Sequence, residues 1–486
     1  MKTRIPVVLA LAAALALAAC APAQTASAPQ NEQTAETAQN AGTAPAQETA
    51  ALPAVAGELY ALAEDGAQTC LFNAGDCGYE LLPRNGYMLV SYVDYATAEQ
   101  RVLCSVPGCA HASEDCPAYL AERGNGDFIF AAGQSVYIYH PASSYPYTGS
   151  WEEYYDEYVR PGLADPALRE GMTEQEFAAF HRGWYGERSL PAGLFVLDRA
   201  GTARRWQPLS RNLDNFVTLY WCDGAALYGY AYDALPAGNS AGYRIALADG
   251  GVTNFPLTQY ERIEGAQGDR LLTTRPVADA PLPDPNQNRE AYAAALQNAV
   301  VEYGWLDPAT GARSKILETP YQPQDGNVCL FRGLQGGKLY FHKEEHTSAG
   351  AQLCSIWAYD PAAGSWQAVV DPLAHDSMFL RWAGAATLPG TAEQAGRYLW
   401  LEGSRGSVLD LGWVWDAAQN ELTAIQQTMA GDPYARPVRS VAQTDDGRFL
   451  VRTAYRGEGE PYDYGLIGID AFLQGSTAYT PVQMLA

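Results

Sequence analysis

What most limits the folds open to this chain is a unit it repeats: an apolar, aromatic run, an Asp-x-x-x-Gly turn, and a second apolar run. Ile356 to Val370, IWAYDPAAGSWQAVV, is the clearest copy. The same order returns around Asp198, Asp249, Asp307, Asp416 and Asp470, roughly every fifty residues, and a period of that length belongs to arrays of small sheets. The turns follow hairpin chemistry. After a type I turn a hairpin needs one residue with positive φ, which Gly adopts freely and Asn tolerates. Gly311 and Gly364 stand four residues after their Asp, and Asn420 holds that place after Asp416.

A second periodic element lies upstream of the hairpins, a Gly leading into a short β-rich run: Gly86 (GYMLVSY), Gly133 (GQSVYIY), Gly224 (GAALYGYAY), Gly268 (GDRLLTT), Gly337 (GKLYFHK), Gly396 (GRYLWLE) and Gly447 (GRFLVRT). Val, Leu, Tyr and Trp over such short lengths favour buried or half-buried strands. With the Gly at an inner turn and the Asp at an outer one, each unit supplies four strands. The seven units predict an all-β fold, a seven-bladed β-propeller with small helical insertions, whose radial repetition hides its sheet edges. Two counts compete with seven. Glu58 to Phe72 (ELYALAEDGAQTCLF) either closes the ring against the last blade or begins an eighth, and six blades require two units to merge. The Gly86 run leads to a cysteine-rich segment where the other six lead to an Asp hairpin.

Residues 1–20 read as a targeting leader. Lys2 and Arg4 supply a positive start, Val7 to Ala16 an apolar run too short to span a bilayer, and Leu17-Ala18-Ala19-Cys20 a small-residue end. This end resembles the lipobox of bacterial lipoproteins, which implies cleavage before Cys20 and lipid on its thiol and new amino terminus. The resemblance places the chain outside the cytoplasm, anchored to a bacterial membrane of the cell envelope. Residues 21–52 are mostly Ala, Gln, Thr, Glu, Pro and Asn, the composition of a disordered tether. A coil of about thirty residues has a root-mean-square span on the order of 30 Å and reaches about 100 Å when stretched. Residues 53–486 are left for the propeller. The full chain has 31 Lys and Arg against 55 Asp and Glu; losing Lys2 and Arg4 with the leader leaves 29 against 55, a formal charge of −26. Such a surface repels nucleic acid, which excludes that class of partner.

Two insertions break the period, at about 141–191 and 278–302. In the first, Tyr145, Tyr147, Trp151, Tyr154, Tyr155 and Tyr158 interleave with Glu152, Glu153, Asp156 and Glu157. Aromatic faces beside carboxylate acceptors suit stacking on sugar rings or peptides and hydrogen bonding to their hydroxyl or amide groups. These six aromatics are the candidate ligand-binding residues; their alternative role is to pack the insertion onto the propeller wall. Downstream, Thr173 and Glu176 form a capping box that opens a helix through about His181. In the second insertion a Pro-rich run precedes REAYAAALQNA, a decorating helix capped by Asn288.

The densest chemistry lies in Cys104 to Cys116, CSVPGCAHASEDC. Cys104, Cys109, His111 and Cys116 can complete a tetrahedral zinc site. A chain outside the cytosol can instead form disulfides there, and with Cys20 lipidated eight thiols remain, an even number. Spacing alone leaves both assignments open. Three Cys and one His would close the coordination shell, so such a zinc is structural and no cofactor is required for activity. The lipobox, the blade period and this cysteine segment together resemble the bacterial lipoproteins with TolB-like β-propellers, a family of unassigned activity. The resemblance implies the fold and is nearly silent on function.

His342-Lys343-Glu344-Glu345-His346 matches H-x-x-E-H and resembles the inverted zinc-peptidase pattern. That pattern needs a helix to bring His residues four apart onto one face. Here GGKLYF ahead of it reads as a strand, in which residues four apart stand about 13 Å from each other. A Gly-Lys-Ser/Thr phosphate loop and a dinucleotide fingerprint are both missing, and no catalytic residue is assigned. The function expected is a lipid-anchored, extracytoplasmic propeller that binds a protein, peptide or glycan without turning it over. The alternative is a propeller hydrolase or lyase acting on polysaccharide, with carboxylates contributed by distant loops.

Overall fold

Seven antiparallel sheets follow one another along the chain, one per blade: 71–121, 128–208, 217–256, 262–320, 328–373, 377–424 and 439–481. This computed structural model describes residues 58–485 except 63–70, 85–86, 122–126, 144–146, 170, 214–216, 233–239, 322–327, 347–351, 374–376, 383–396, 406–407 and 456–462. The leader, Cys20, the tether, Cys70 and Tyr145 therefore lie outside the described residues. Leu52–Ala486 form one compact unit. No described helix is long and apolar enough to cross a membrane.

Within each blade the four repeat strands lie in chain order, and first strands of neighbouring blades meet, Leu71–Asn73 beside both Phe128–Ala132 and Arg439–Gln443, and Val328–Gln335 beside both Arg262–Gln267 and Ser377–Trp382; in blade 3 Tyr60–Ala61 adds a further strand at the inner edge. That places the first strand innermost and makes the array a ring of seven. Gly133, Gly224, Gly268, Gly337 and Gly447 stand between first and second strands with φ between 55° and 82°, the left-handed backbone that a tight turn requires of Gly. The Asp turns join third and fourth strands. Asp307 Oδ1 accepts from the amides of Ala309 and Thr310, and Asp360 Oδ1 from those of Ala362 and Ala363. Asn420 takes φ 56° after Asp416, as expected.

Three expectations are corrected. In blade 1 the strand after Gly86, Tyr87–Asp94, is the third strand, not the second; the inner turn belongs to Gly75, with φ 88°. Blade 1 also has its Asp turn: Asp94 accepts from the amides of Ala96 and Thr97, and Ala98, four residues on, holds φ 55°. A methyl group in place of Gly hid this copy. The Asp470 unit is not a hairpin turn, because Ile469–Leu473 form a short helix before the last strand, Thr480–Pro481. Finally, Glu58 to Phe72 neither begins an eighth blade nor pairs with the last one. Tyr60–Ala61 adds a strand to blade 3, Tyr60 opposite Cys222, while Leu71–Asn73 is the inner strand of blade 1.

Among the described residues, closure between blades 1 and 7 uses no shared strand, only an isolated parallel bridge of Glu99 with Gln483. Asn73 Nδ2 donates to the Gln443 carbonyl at 2.8 Å, the Asp445 amide to the Gly75 carbonyl at 2.9 Å, and the Gln100 amide to the Gln483 carbonyl at 2.9 Å. Leu71, Val93 and Tyr95 of blade 1 pack on Leu450, Leu466 and Val482 of blade 7. Other seams are built alike, with Tyr340, Ile356 and Ala358 of blade 5 against Leu399, Leu401 and Trp415 of blade 6. Side chains of this size each contribute roughly 2 kcal/mol on full burial before the entropy of ordering them is counted.

Because neighbouring strands are antiparallel, the inner Gly turns and the Asp turns emerge on one rim, and the connections from second to third strands on the other. Both insertions are second-to-third connections, in blades 2 and 4, so they share a rim. The first described residues run along the opposite one, where the Leu59 amide donates to the carbonyl of Gly268 in an inner turn.

Candidate functional site

The first insertion folds as a small helical body on the rim of blade 2. Helix α1 (Trp151–Tyr154) starts at Ser150, whose hydroxyl accepts from the Glu153 amide while Glu153 accepts from the Ser150 amide. It runs through a π-helical turn, Tyr155–Val159, into α2 (Arg160–Ala164), which admits Pro161 in its first turn where no amide donor is needed. Helix α3 (Glu174–Ser189) opens on the expected capping box, the Thr173 amide donating to Glu176 Oε2 at 2.8 Å and the Glu176 amide to Thr173 Oγ1 at 3.3 Å. It extends eight residues beyond His181. Gly183 and Gly186 lower the propensity of that second half, which is why the sequence argues for an earlier end.

The structure gives the candidate aromatics different roles. Tyr154 is the centre of the insertion's own core, with the rings of Tyr147, Tyr158, Trp151 and Tyr185 between 4.7 and 5.8 Å from its own and its hydroxyl 3.2 Å from His181 Nδ1. Its ring offers no face to a ligand. Trp151 is half-buried and carries the Arg182 guanidinium 4.3 Å over its ring. Arg188 stands within 6.0 Å of Tyr147, Tyr154 and Tyr158. Tyr147 and Tyr155 are half-buried in the same cluster, and Tyr158 reaches solvent at 38% exposure. Tyr145 lies outside the described residues. The open aromatic surface comes instead from α3, where Phe180 and Trp184, 46% and 47% exposed, stand one helical turn apart with ring centroids 5.3 Å from each other. The F-x-x-x-W spacing signals this pair only once the helix is known to continue. The second insertion is a single helix, α4 (Arg289–Leu296), with Asn288 Oδ1 accepting from the Ala291 amide as expected.

The cysteine segment occupies a place no periodicity shows. The fourth strand of blade 1 is split into Glu99–Val102 and Tyr119–Ala121, both paired with Tyr87–Asp94. The Leu103 amide donates to the Val90 carbonyl and the Val90 amide to the Ala118 carbonyl, each at 2.9 Å, so the strand resumes where it left off. Residues 104–117 loop out between. Val106-Pro107-Gly108-Cys109 form a turn closed by the Cys109 amide on the Val106 carbonyl, with Gly108 at φ 71° as a type II turn demands. The turn brings Cys109 back to Cys104, and His111, held at φ 56°, aims Nδ1 at Cys116 Sγ, 3.4 Å away. The thiols of Cys104, Cys109 and Cys116 and one ring nitrogen of His111 all lie within 4.8 Å of one another. The backbone amide of His111, donating to Cys109 Sγ, holds that thiol below its ordinary pKa. Burial, reinforced by the two neighbouring thiols, pushes the Cys116 thiol up to about 12.

His342 to His346 lie on one strand, Lys338–His346, as expected, so the peptidase-like spacing has no helix to bring it together. His342, Glu344 and Cys354 do converge on neighbouring strands of blade 5. The Arg332 guanidinium, 3.1 Å from His342 Nδ1, puts a fixed positive charge in that cluster and makes it a poor cation site. The sequence also contains one G-x-S-x-G pattern, Gly238 to Gly242; Ser240 begins the strand Ser240–Ala246 rather than standing at a strand-to-helix elbow. Among the described residues, the inner strands that form the wall of the ring carry a single carboxylate, Glu264, which accepts from Thr274 Oγ1 at 2.9 Å. They supply no carboxylate pair.

Fold and site define a class: a seven-bladed β-propeller with a helical aromatic insertion on one rim and a cysteine loop set into its first blade. No protein-family model matches the chain, and no curated protein matches it in sequence. Among solved structures it is similar to the β-propeller domain of the Trilobed protease from Pyrococcus furiosus, with a TM-score of 0.44 and 8% identity over 88% of this chain and 98% of that one. It is also similar to the acylaminoacyl peptidase of Pyrococcus horikoshii, TM-score 0.42 and 10% identity over 84% of this chain and 51% of that one. A third is an ulvan lyase of a new polysaccharide-lyase family, TM-score 0.42 and 9% identity over 85% of this chain and 96% of that one.

Proposed function

We propose that this is a lipid-anchored, extracytoplasmic binding propeller that holds a protein, peptide or glycan ligand on the rim carrying the helical insertion, without chemical turnover. The observation that carries the reading is the solvent-facing pair Phe180 and Trp184 on a helix whose other aromatic residues are packed inward. Two adjacent aromatic faces held on a rigid helix are suited to stacking on a sugar ring or an apolar peptide side chain at little entropic cost.

The mature chain, screened against glycan and peptide arrays, is expected to bind one chemical class, and Phe180→Ala with Trp184→Ala to abolish that binding while the melting temperature stays within a degree or so of the parent. Unchanged binding by the double variant would remove the site. Release of reducing ends or new unsaturated ends from a bound polysaccharide would replace binding by catalysis. Cys20→Ser is expected to move the protein from the membrane fraction to the soluble one; retention in the membrane would refute the anchor.

A further inference from the structure

We propose that Cys104, Cys109, His111 and Cys116 bind one zinc ion in a closed, structural site that locks the interrupted outer strand of blade 1 and fastens it to blade 2. In a tetrahedral site with Zn–S near 2.3 Å and Zn–N near 2.0 Å, ligand atoms stand roughly 3.5–3.8 Å apart. The four donor atoms here already lie within 4.8 Å of one another, with His111 Nδ1 and Cys116 Sγ at 3.4 Å, so they reach that arrangement by small side-chain rotations. A disulfide would use two of the three thiols and leave the third thiol and the imidazole without a role. The backbone of His111 also speaks for the ion. A left-handed conformation costs a residue with a Cβ about 1–2 kcal/mol, and at φ 56° it turns the ring onto the cluster.

The position of the loop says what the ion does. Cys104 directly follows Leu103, whose amide donates to the Val90 carbonyl; Cys116 stands two residues before Ala118, whose carbonyl accepts from the Val90 amide. One ion thus ties together the two ends of a strand broken at Val90. The same loop reaches blade 2 through the Ser105 amide on the Gly201 carbonyl at 2.9 Å and through the Arg204–Glu114 ion pair. Few apolar side chains hold the loop otherwise, and Val106 is exposed. Binding is balanced by release of the thiol protons to solvent: zinc(II) displaces up to three protons from the Cys sulfurs while neutral His111 donates its Nδ1 lone pair. No oxidant or reductant takes part. With all four positions filled by protein, no water is activated and the site is not catalytic.

The test is metal analysis of the full chain purified with reductant in zinc-containing buffer, followed by exchange with cobalt(II). One equivalent of zinc, and cobalt spectra with thiolate charge-transfer bands and intense tetrahedral ligand-field bands, are expected. Cys109→Ser is expected to lose the metal, whereas His111→Cys keeps it as an all-thiolate site, which separates ligation from folding should Cys116→Ser fail to fold. Chelation is expected to accelerate hydrogen exchange in residues 103–119 and at Gly201 while leaving blades 4 to 6 unchanged. Substoichiometric metal together with loss of two titratable thiols on air exposure would assign a disulfide and overturn the proposal. So would a Cys109→Ser protein with full zinc, or cobalt spectra without sulfur bands.

Discussion

Two buried ionisable groups pull the stability of the ring in opposite directions as pH changes, and separating them tests their burial. His342 is fully enclosed in blade 5, facing Arg332 on the first strand, Glu344 Oε1 at 3.7 Å on its own strand and Cys354 on the third. Burial, helped by the Arg332 charge, holds its pKa down at about 4 against an ordinary 6.5. Glu80 is buried in blade 1; burial pushes its carboxyl from 4.5 up to about 7, opposed by the hydrogen bond it accepts from Gln100 Nε2. For His342 the unfolded chain gains a proton between pH 6.5 and 4 that the folded chain refuses. Its contribution is therefore complete above 6.5 and is lost as pH falls towards 4. For Glu80 the folded chain keeps a proton that the unfolded chain releases between pH 4.5 and 7, so stability is lost as pH rises through that window. At ~1.4 kcal/mol per pKa unit each amounts to about 3 kcal/mol, and between about pH 4.5 and 6.5 the two slopes nearly cancel. Glu80→Gln keeps an acceptor for Gln100 and removes one slope: relative to the parent it gains about 2–3 kcal/mol on going from pH 4.5 to 6.5. His342→Gln removes the other, so its stability relative to the parent falls by a similar amount over the same rise. Urea midpoints at several pH values give both difference curves. Flat curves, or curves of the same sign, would refute the argument.

Glycine replacements separate backbone conformation from close approach. Gly364→Ala meets nothing within 4 Å and costs about 1 kcal/mol for its φ of 62°, whereas Gly201→Ala sets a Cβ 2.8 Å from the backbone of Leu103 and Cys104 and costs ~2–4 kcal/mol. Equal urea midpoints for the two would show that the cysteine loop does not press on blade 2. Thr173→Ala removes the side-chain half of the α3 capping box and costs about 1 kcal/mol locally; hydrogen exchange should quicken over residues 174–189 and nowhere in the blades, and a global change would contradict the independence of the insertion.

The blades were legible because each turn has its own chemistry. Five of the seven inner-turn glycines named from sequence stand in described turns with positive φ. Where the reading slipped, a local rule was satisfied by a different residue: Ala98 accepts the strained conformation that Gly takes elsewhere, since its methyl group is buried in the seam between blades 1 and 7. Missing that turn shifted the reading of blade 1 by one strand, so Gly86 took the role that belongs to Gly75. The candidate site was less legible. A row of six aromatics looks the same whether it lines a groove or fills a core, because hydrophobic burial has no direction along the chain. Only the packing of Tyr154 among its neighbours, and the exposure of Phe180 and Trp184, assign their roles.

The sequence by itself determined the all-β repeat, the two insertions, the α3 and α4 caps and the four clustered metal-type ligands, because each depends on residues close together in the chain; it left six, seven and eight blades open, and the strand pairing of the structure settled on seven. The tertiary structure decided what depends on distant ones. Gln443 and Gln483 meet Asn73 and Gln100 across the closure of the ring, Tyr60 pairs with Cys222 of blade 3, and the cysteine loop rests on Gly201 of blade 2. Periodicity carries no information about such contacts; they form because closing the ring brings together residues far apart in sequence.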